Sequence, residues 1–255
     1  MIEKPRLFRF GYFMPSKNDR QLRPHQLRDA DAFNEISALL NQKGYTYGGL
    51  ILNFPPKKGA RPRRVDTSFV TSNDLIVLTT RPPLDDEKAK GKKLISRSHT
   101  TLENKVFAAL RPYLRSCTRL IVELSPRLAE QLPVAVANRA CIEFKGGYGA
   151  TYKSYSSHGL LSMQKAGFPS RTAMYLVHPP KRHKDDPDIL CAFGMGGTET
   201  LIWAYLLRTK FPDKLTLDAP RFVMAELTTH RVPLAPIDFS FADTWQVEFL
   251  LDVPL

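Results

Sequence analysis

The chain has 255 residues, 43% of them hydrophobic, and a formal net charge of +12. That length supports a substantial core in one large domain or two small ones, and the apolar fraction excludes wholesale disorder. No apolar run approaches the roughly 18 residues of a membrane span, so no membrane association is expected.

The first twenty residues carry Lys4, Arg6, Arg9, Lys17 and Arg20 and lack the apolar core of a secretory signal. The three cysteines, Cys117, Cys141 and Cys191, sit in or beside apolar segments without metal-ligand spacing. They read as buried thiols of a reducing, cytoplasmic setting. Residues 1–64 hold thirteen Lys/Arg against five Asp/Glu, so about two thirds of the excess charge lies in the first quarter. A field of that sign attracts polyanions through proximity and counterion release; a merely solvated basic surface is the alternative.

Taken in order, the aromatic-rich Leu7–Phe13 predicts a first strand. Met14 to Arg28, with two prolines and five basic or histidine side chains, reads as a polar arm. Asp29 or Asp31 is expected to cap a helix through Asn41, whose apolar stripe is Ala32, Phe33, Ile36, Leu39 and Leu40. A second strand over Tyr45–Phe54 is expected to break or bulge at Gly48-Gly49. Lys57, Lys58, Arg61, Arg63 and Arg64 then place five cations in eight residues. That loop suits contacts with a nucleic-acid backbone without base readout, or else is a solvated connection. It has no interleaved aromatics to serve as a stacking platform.

Leu75–Leu78 predicts a strand, and the polar stretch 81–100 a surface excursion. The expected organisation is a basic N-terminal α/β subdomain over 1–80, that loop, and a main α/β domain over 101–255. Within the latter, 101–114 reads as a helix, 118–124 as a strand, 125–131 as a short helix and 140–145 as a strand. Further strands are expected at 172–178, 221–230 and 244–251. The fold class is therefore α/β, or α+β, with a mixed, largely parallel sheet flanked by helices.

The clearest unit is Asp188 to Lys210, where an apolar run ends at Phe193, passes Gly194, Gly196 and Gly197, and opens a helix near Thr198. It reads as strand, glycine turn and buried helix, with the Thr198 hydroxyl as the cap. Amides at such a helix start can hold an anion. Gly194, Gly196, Gly197, Thr198 and Thr200 are accordingly the candidate phosphate contacts; a packing turn with no ligand is the alternative. Glu199 brings a negative charge into the first turn, suited to the helix dipole. The turn is neither a Walker loop nor the dinucleotide fingerprint. In style it is similar to the Gly-Gly-x-Gly-Thr turn of lysine-decarboxylase-like proteins, with the glycines shifted and Phe193 in place of proline.

Glu143-Phe144-Lys145 places an acid and an amine on one strand face. With Glu123 on the preceding strand, and Glu103, it resembles the acid-x-lysine core of restriction-endonuclease-like nucleases. That resemblance implies a bound Mg²⁺ and a water aimed at a phosphodiester. The connection at 125–138 departs from that family by looking helical. Glu226 shares a strand face with Thr228 and His230 near the strand's end, as a catalytic acid or as a structural group.

The candidate catalytic set is thus Glu226, Glu143, Lys145 and Glu123, with metal ligands unassigned. The expected function is handling of a nucleic acid or a phosphate-bearing small molecule, including metal-dependent phosphoester or nucleotide hydrolysis. A non-enzymatic nucleic-acid-binding module is one alternative. Another is an assembly component that docks a protein partner, or a second copy of itself, through its basic face.

Overall fold

The computed structural model describes residues 6–10, 24–51, 74–79, 82, 115–124, 142–144, 150–152, 170–229 and 239–255. In chain order these form β1 (Arg6–Phe10), α1 (Pro24–Gln42), β2 (Thr46–Ile51) and β3 (Asp74–Leu78). A helix α2 over 115–124 follows, then β4 (Ile142–Phe144), β5 (Ala150–Tyr152), β6 (Ser170–His178) and β7 (Asp188–Gly194). The last elements are α3 (Gly197–Thr209), β8 (Arg221–Thr229) and β9 (Gln246–Pro254), with short 3-10 turns at Pro212–Lys214 and Phe239–Thr244.

Seven strands build one sheet in the order β2-β1-β3-β7-β6-β8-β9, while β4 and β5 pair separately. β1 is parallel to β2 and β3, and β3 is parallel to β7. β6 is antiparallel to both its neighbours, and β9 is antiparallel to β8. The sheet is therefore mixed, with helices, rather than largely parallel as expected. The strands of residues 6–78 and those of 170–254 belong to this one sheet, joined through the β3–β7 pairing.

Among the described residues, two helices cover one face. Along α1 the side chains of Ala32, Phe33, Ile36, Leu39 and Leu40 are buried, the 3.6-residue stripe read from the sequence. They share a core with Leu201, Ile202, Trp203, Leu206 and Leu207 of α3 and with inward residues of β3, β6, β7 and β8. Pro24, expected to punctuate a loop, instead opens α1, a place where its missing N–H costs nothing.

The opposite face carries Ile76, Leu78, Cys191, Tyr175, Phe222 and Met224, all buried. There Tyr175 stacks on Phe193 at 5.0 Å. On α2, Cys117 is buried too, and burial pushes the Cys191 thiol up.

The strand expected over 118–124 is thus a helix. Cys117 and Ile121 are buried four residues apart, while Arg119 and Glu123 are exposed and form an i,i+4 ion pair at 2.7 Å. Its Leu-Ile-Val run matches a strand by composition, but burial follows the helical period. The bulge expected in β2 is present. Leu7 pairs with Tyr47 and Phe8 with Gly49, which leaves Gly48 as the extra residue.

Candidate functional site

At the end of β7 the glycine turn is fixed by its own hydroxyl clamp. The Gly194 amide donates to Thr200 Oγ1 at 2.9 Å, and that hydroxyl donates to the Gly196 carbonyl at 2.9 Å. These groups are therefore engaged internally, and Gly194 and Thr200 leave the set of free anion contacts. A Cβ on Gly194 would lie 2.5 Å from Glu199 Cβ and 2.8 Å from the Thr200 nitrogen. The glycine is required because the first turn of α3 is pressed directly onto the strand end.

Gly196 is the N-cap residue in an extended conformation, and no side chain caps the helix; the cap expected of Thr198 is not made. A Cβ on Gly196 would lie 2.8 Å from Glu199 Oε2, so this buried carboxylate lies over the cap residue. The first helical bond runs from the Thr200 amide to the Gly196 carbonyl, leaving the Gly197 and Thr198 amides without a partner inside the helix. The Thr198 hydroxyl instead accepts a hydrogen bond from Arg28 on α1. A guanidinium from the basic N-terminal region thus meets the start of the glycine-turn helix, with Gly196 exposed and Gly197 and Thr198 half-buried beside it.

Two further basic stretches of the sequence follow strands that end at this same edge. β2, β1, β3 and β7 run in one direction, so their C-terminal ends lie together. From β1 the chain turns through α1 to β2 on one side, whereas β3 leads on to β7 on the other. The crevice of such a sheet lies outside the C-terminal ends of the strands where that reversal occurs, here β1 and β3. Residues 11–23, which lie between β1 and α1 in the sequence, carry Lys17, Arg20 and Arg23. The segment that leaves β2 here contains Lys57, Lys58, Arg61, Arg63 and Arg64. Those five, like Lys17, Arg20 and Arg23, lie outside the described residues.

The acids expected to converge are distributed over different elements. Glu123 is on the exposed side of α2, paired with Arg119. Glu143 belongs to the separate β4–β5 pair, opposite Thr151; Lys145, Glu103 and His230 lie outside the described residues. The meander of adjacent acid-bearing strands on which the nuclease-like arrangement depends does not form, because Glu123 is helical.

Glu226 is buried on the face opposite α1 and α3, three residues before the end of β8. Register sets it directly across from Glu248 of β9, with Arg171 of β6 across from Thr228. Facing carboxylates at such positions have Cβ atoms about 5 Å apart. Sequence reading missed Glu248 and Arg171, since only strand register brings them beside Glu226. Among the described residues no group of three or more His, Cys, Asp or Glu side chains is placed to hold a metal ion.

The opposite edge is charge-compensated. His178 is there because β6 is antiparallel to β7, not beside the glycine turn as a parallel neighbour would be. Its Nδ1 lies 3.1 Å from the Ala219 carbonyl and its Nε2 3.6 Å from Asp188, which Lys181 also approaches at 3.4 Å. Burial works against the charged form of Asp188, but His178 and Lys181 outweigh it and hold the carboxyl below its ordinary range. Asp252 is held low in the same way, its burial outweighed by Arg221 at 2.6 Å and by Lys214.

Among the described residues no helix is long and apolar enough to cross a membrane. Comparison with protein families, with curated proteins and with solved structures finds no match for this chain.

Proposed function

We propose that the chain binds a phosphate-bearing polyanion, nucleic acid foremost, along the C-terminal edge of β1, β3 and β7. The carrying observation is the hydrogen bond from Arg28 to Thr198. It sets a cation of α1 beside the helix-start amides of the glycine turn. One phosphate would be held there by Arg28, the Thr198 hydroxyl and the Gly197 and Thr198 amides. The neighbouring backbone charges would meet Lys17, Arg20, Arg23 and the 57–64 cluster. Glu199 folds over Gly196 and restricts the anion to the Gly197–Thr198 side.

The test is titration of a fluorescent 20-nucleotide duplex and single strand over a range of salt. Arg28→Ala is expected to weaken binding about tenfold and to lower the salt slope by about one. Neutralising the five cations of 57–64 should lower the slope by about four. Lys184→Ala, on the exposed turn at the other edge, should leave both unchanged. Equal binding by wild type and Arg28→Ala refutes the reading, and so does a slope that Lys184 alters as much as Arg28.

A hydrolytic form of this activity is favoured by one further observation, the cross-strand opposition of Glu226 and Glu248. In that form Mg²⁺-dependent cleavage of the bound strand is lost in Glu226→Gln and Glu248→Gln while binding persists. Binding without cleavage in the wild type assigns the chain to the non-enzymatic class.

A further inference from the structure

We propose that the polyanion of this edge is RNA, selected over DNA by two adjacent rows of side chains on the ends of β6, β8 and β9. The inference rests on the phosphate-binding reading of the same edge and holds with or without cleavage. One row is Arg171, Thr228 and Gln246, which register sets side by side on three neighbouring strands. The next is Ala173, Glu226 and Glu248, two residues along each strand. Side chains repeat every two residues along a strand, so both rows lie on the face opposite α1 and α3.

β6 is antiparallel to both β7 and β8, so β8 runs with β7 and the rows lie at the edge of the glycine turn. Arg171 stands three residues beyond the Met174–Gly194 pair, about 10 Å further along the sheet. A strand held at Arg28 and Thr198 therefore has a second anchor within reach. Arg171 and Thr228 are half-buried and Gln246 is exposed. Among the described residues none of these three side chains makes a hydrogen bond or ion pair. Directly opposed residues have Cβ atoms about 5 Å apart, so guanidinium, hydroxyl and carboxamide can converge on one phosphate. All three groups donate hydrogen bonds, and Arg171 adds its charge.

The second row has the opposite chemistry. A carboxylate accepts hydrogen bonds and repels phosphate, so this row turns the backbone charge away and suits a neutral donor. The rows are about 7 Å apart at strand rise, a spacing that sets a nucleotide's sugar beside the acids when its phosphate occupies the first row. The 2′-hydroxyl is the donor that ribose carries and deoxyribose lacks. Glu248 is exposed at this edge, and each of its carboxylate oxygens takes more than one hydrogen bond. It is the acceptor for that hydroxyl, while Glu226, 3% exposed across from it, reinforces the exclusion of phosphate. A DNA strand in the same place brings no donor and meets only the repulsion.

The experiment titrates the full chain with fluorescent 20-nucleotide single strands of RNA and DNA of one sequence, in EDTA so that binding is read without metal-dependent cleavage. The wild type is expected to prefer RNA about tenfold. Arg171→Ala should weaken RNA and DNA alike, about tenfold, and lower the salt slope by about one. Glu248→Ala should bring the RNA-to-DNA ratio close to one, whereas Glu248→Gln, which keeps an acceptor oxygen, should retain most of the preference. The ratio is the deciding quantity, because loss of repulsion alone would strengthen RNA and DNA equally. Equal affinity of the wild type for RNA and DNA overturns the proposal. So does a ratio that Glu248→Ala leaves unchanged, or wild-type affinity and slope in Arg171→Ala. Arg28→Ala separates the two readings. If it is weakened while Arg171→Ala is not, this inference alone fails; if both bind as the wild type does, the polyanion reading fails with it.

Discussion

Replacing Gly194 with alanine forces a methyl group against the backbone of α3. The new Cβ would lie 2.5 Å from Glu199 Cβ, 2.7 Å from the Glu199 carbonyl carbon and 2.8 Å from the Thr200 nitrogen. Ordinary carbon contacts sit near 3.5–4.0 Å, so the overlap is about 1 Å. None of the three atoms is the free end of a flexible chain. The turn is also held by the Thr200 hydroxyl and by the Thr200 amide, 2.9 Å from the Gly196 carbonyl. Relief therefore requires α3 to shift away from β7, loosening Leu201, Ile202 and Ala204 in the core.

Overpacking of this kind costs about 1–3 kcal/mol, and stretching the Gly194–Thr200 bond adds up to about 1 kcal/mol. The expected loss is about 3 kcal/mol. Gly196→Ala is the matched comparison, because its new Cβ meets the Glu199 carboxylate oxygen at 2.8 Å, which can rotate aside. Its extended backbone, φ −147° and ψ 177°, suits alanine, so the expected cost is about 0.5–1 kcal/mol at an N-cap. Urea unfolding at unchanged m-value separates the two. If Gly194→Ala proves no less stable than Gly196→Ala, the close-approach account of this turn is wrong.

Thr200→Val keeps the shape but removes the oxygen that accepts from the Gly194 amide and donates to the Gly196 carbonyl. A loss of about 1–3 kcal/mol in urea unfolding is expected for the buried groups left unpaired, with Thr200→Ser retaining most of the stability. Acid stability should depend on Asp188 and Asp252, whose carboxyls their cationic neighbours hold low against the opposing effect of burial. Their folded values lie below the unfolded one of about 3.9, so their contribution is complete above that pH and is lost as pH falls through the folded values. Asp252→Asn should thus cost more stability at pH 7 than at pH 3. A gap in melting temperature that stays constant from pH 7 to pH 2 would contradict the assignment.

The elements most legible in the sequence are those whose burial follows one period and whose ends are punctuated. The α1 stripe and the Asp188–Lys210 unit both satisfy that condition. α3 ends at Thr209 just before Phe211-Pro212, where proline requires it. Leu120, Ile121 and Val122 resemble a strand by composition, whereas the burial of Cys117 and Ile121 four residues apart follows the helical period.

Pairing partners are not encoded in periodicity at all. Nothing local to Thr172–His178 reports that β6 runs against β7, and that direction puts His178 at the edge away from the glycine turn. Glu248 escaped notice for the same reason, since its opposition to Glu226 depends on register next to the irregularity at Met224/Ala225. The glycine turn itself was readable, but its internal hydroxyl clamp and the arrival of Arg28 are tertiary facts.

Strand direction fixes which strand ends meet at each edge. Four parallel strands end on one side, and in the sequence the Lys/Arg-rich stretches 11–23 and 52–64 follow two of them. The antiparallel β6 sends its own charged turn, Lys181 to Asp186, to the other side, where Asp188 and Asp252 engage Lys181, Lys214 and Arg221. β7 spans seven residues, so the two edges are about 20 Å apart at strand rise. With a screening length of about 8 Å at physiological salt, cations on the far edge add little to the field at the near one. Net charge alone would make all cations equivalent for polyanion binding. The topology instead makes them unequal, so neutralising Arg28 and neutralising Lys184, each a change of one charge, should have different effects.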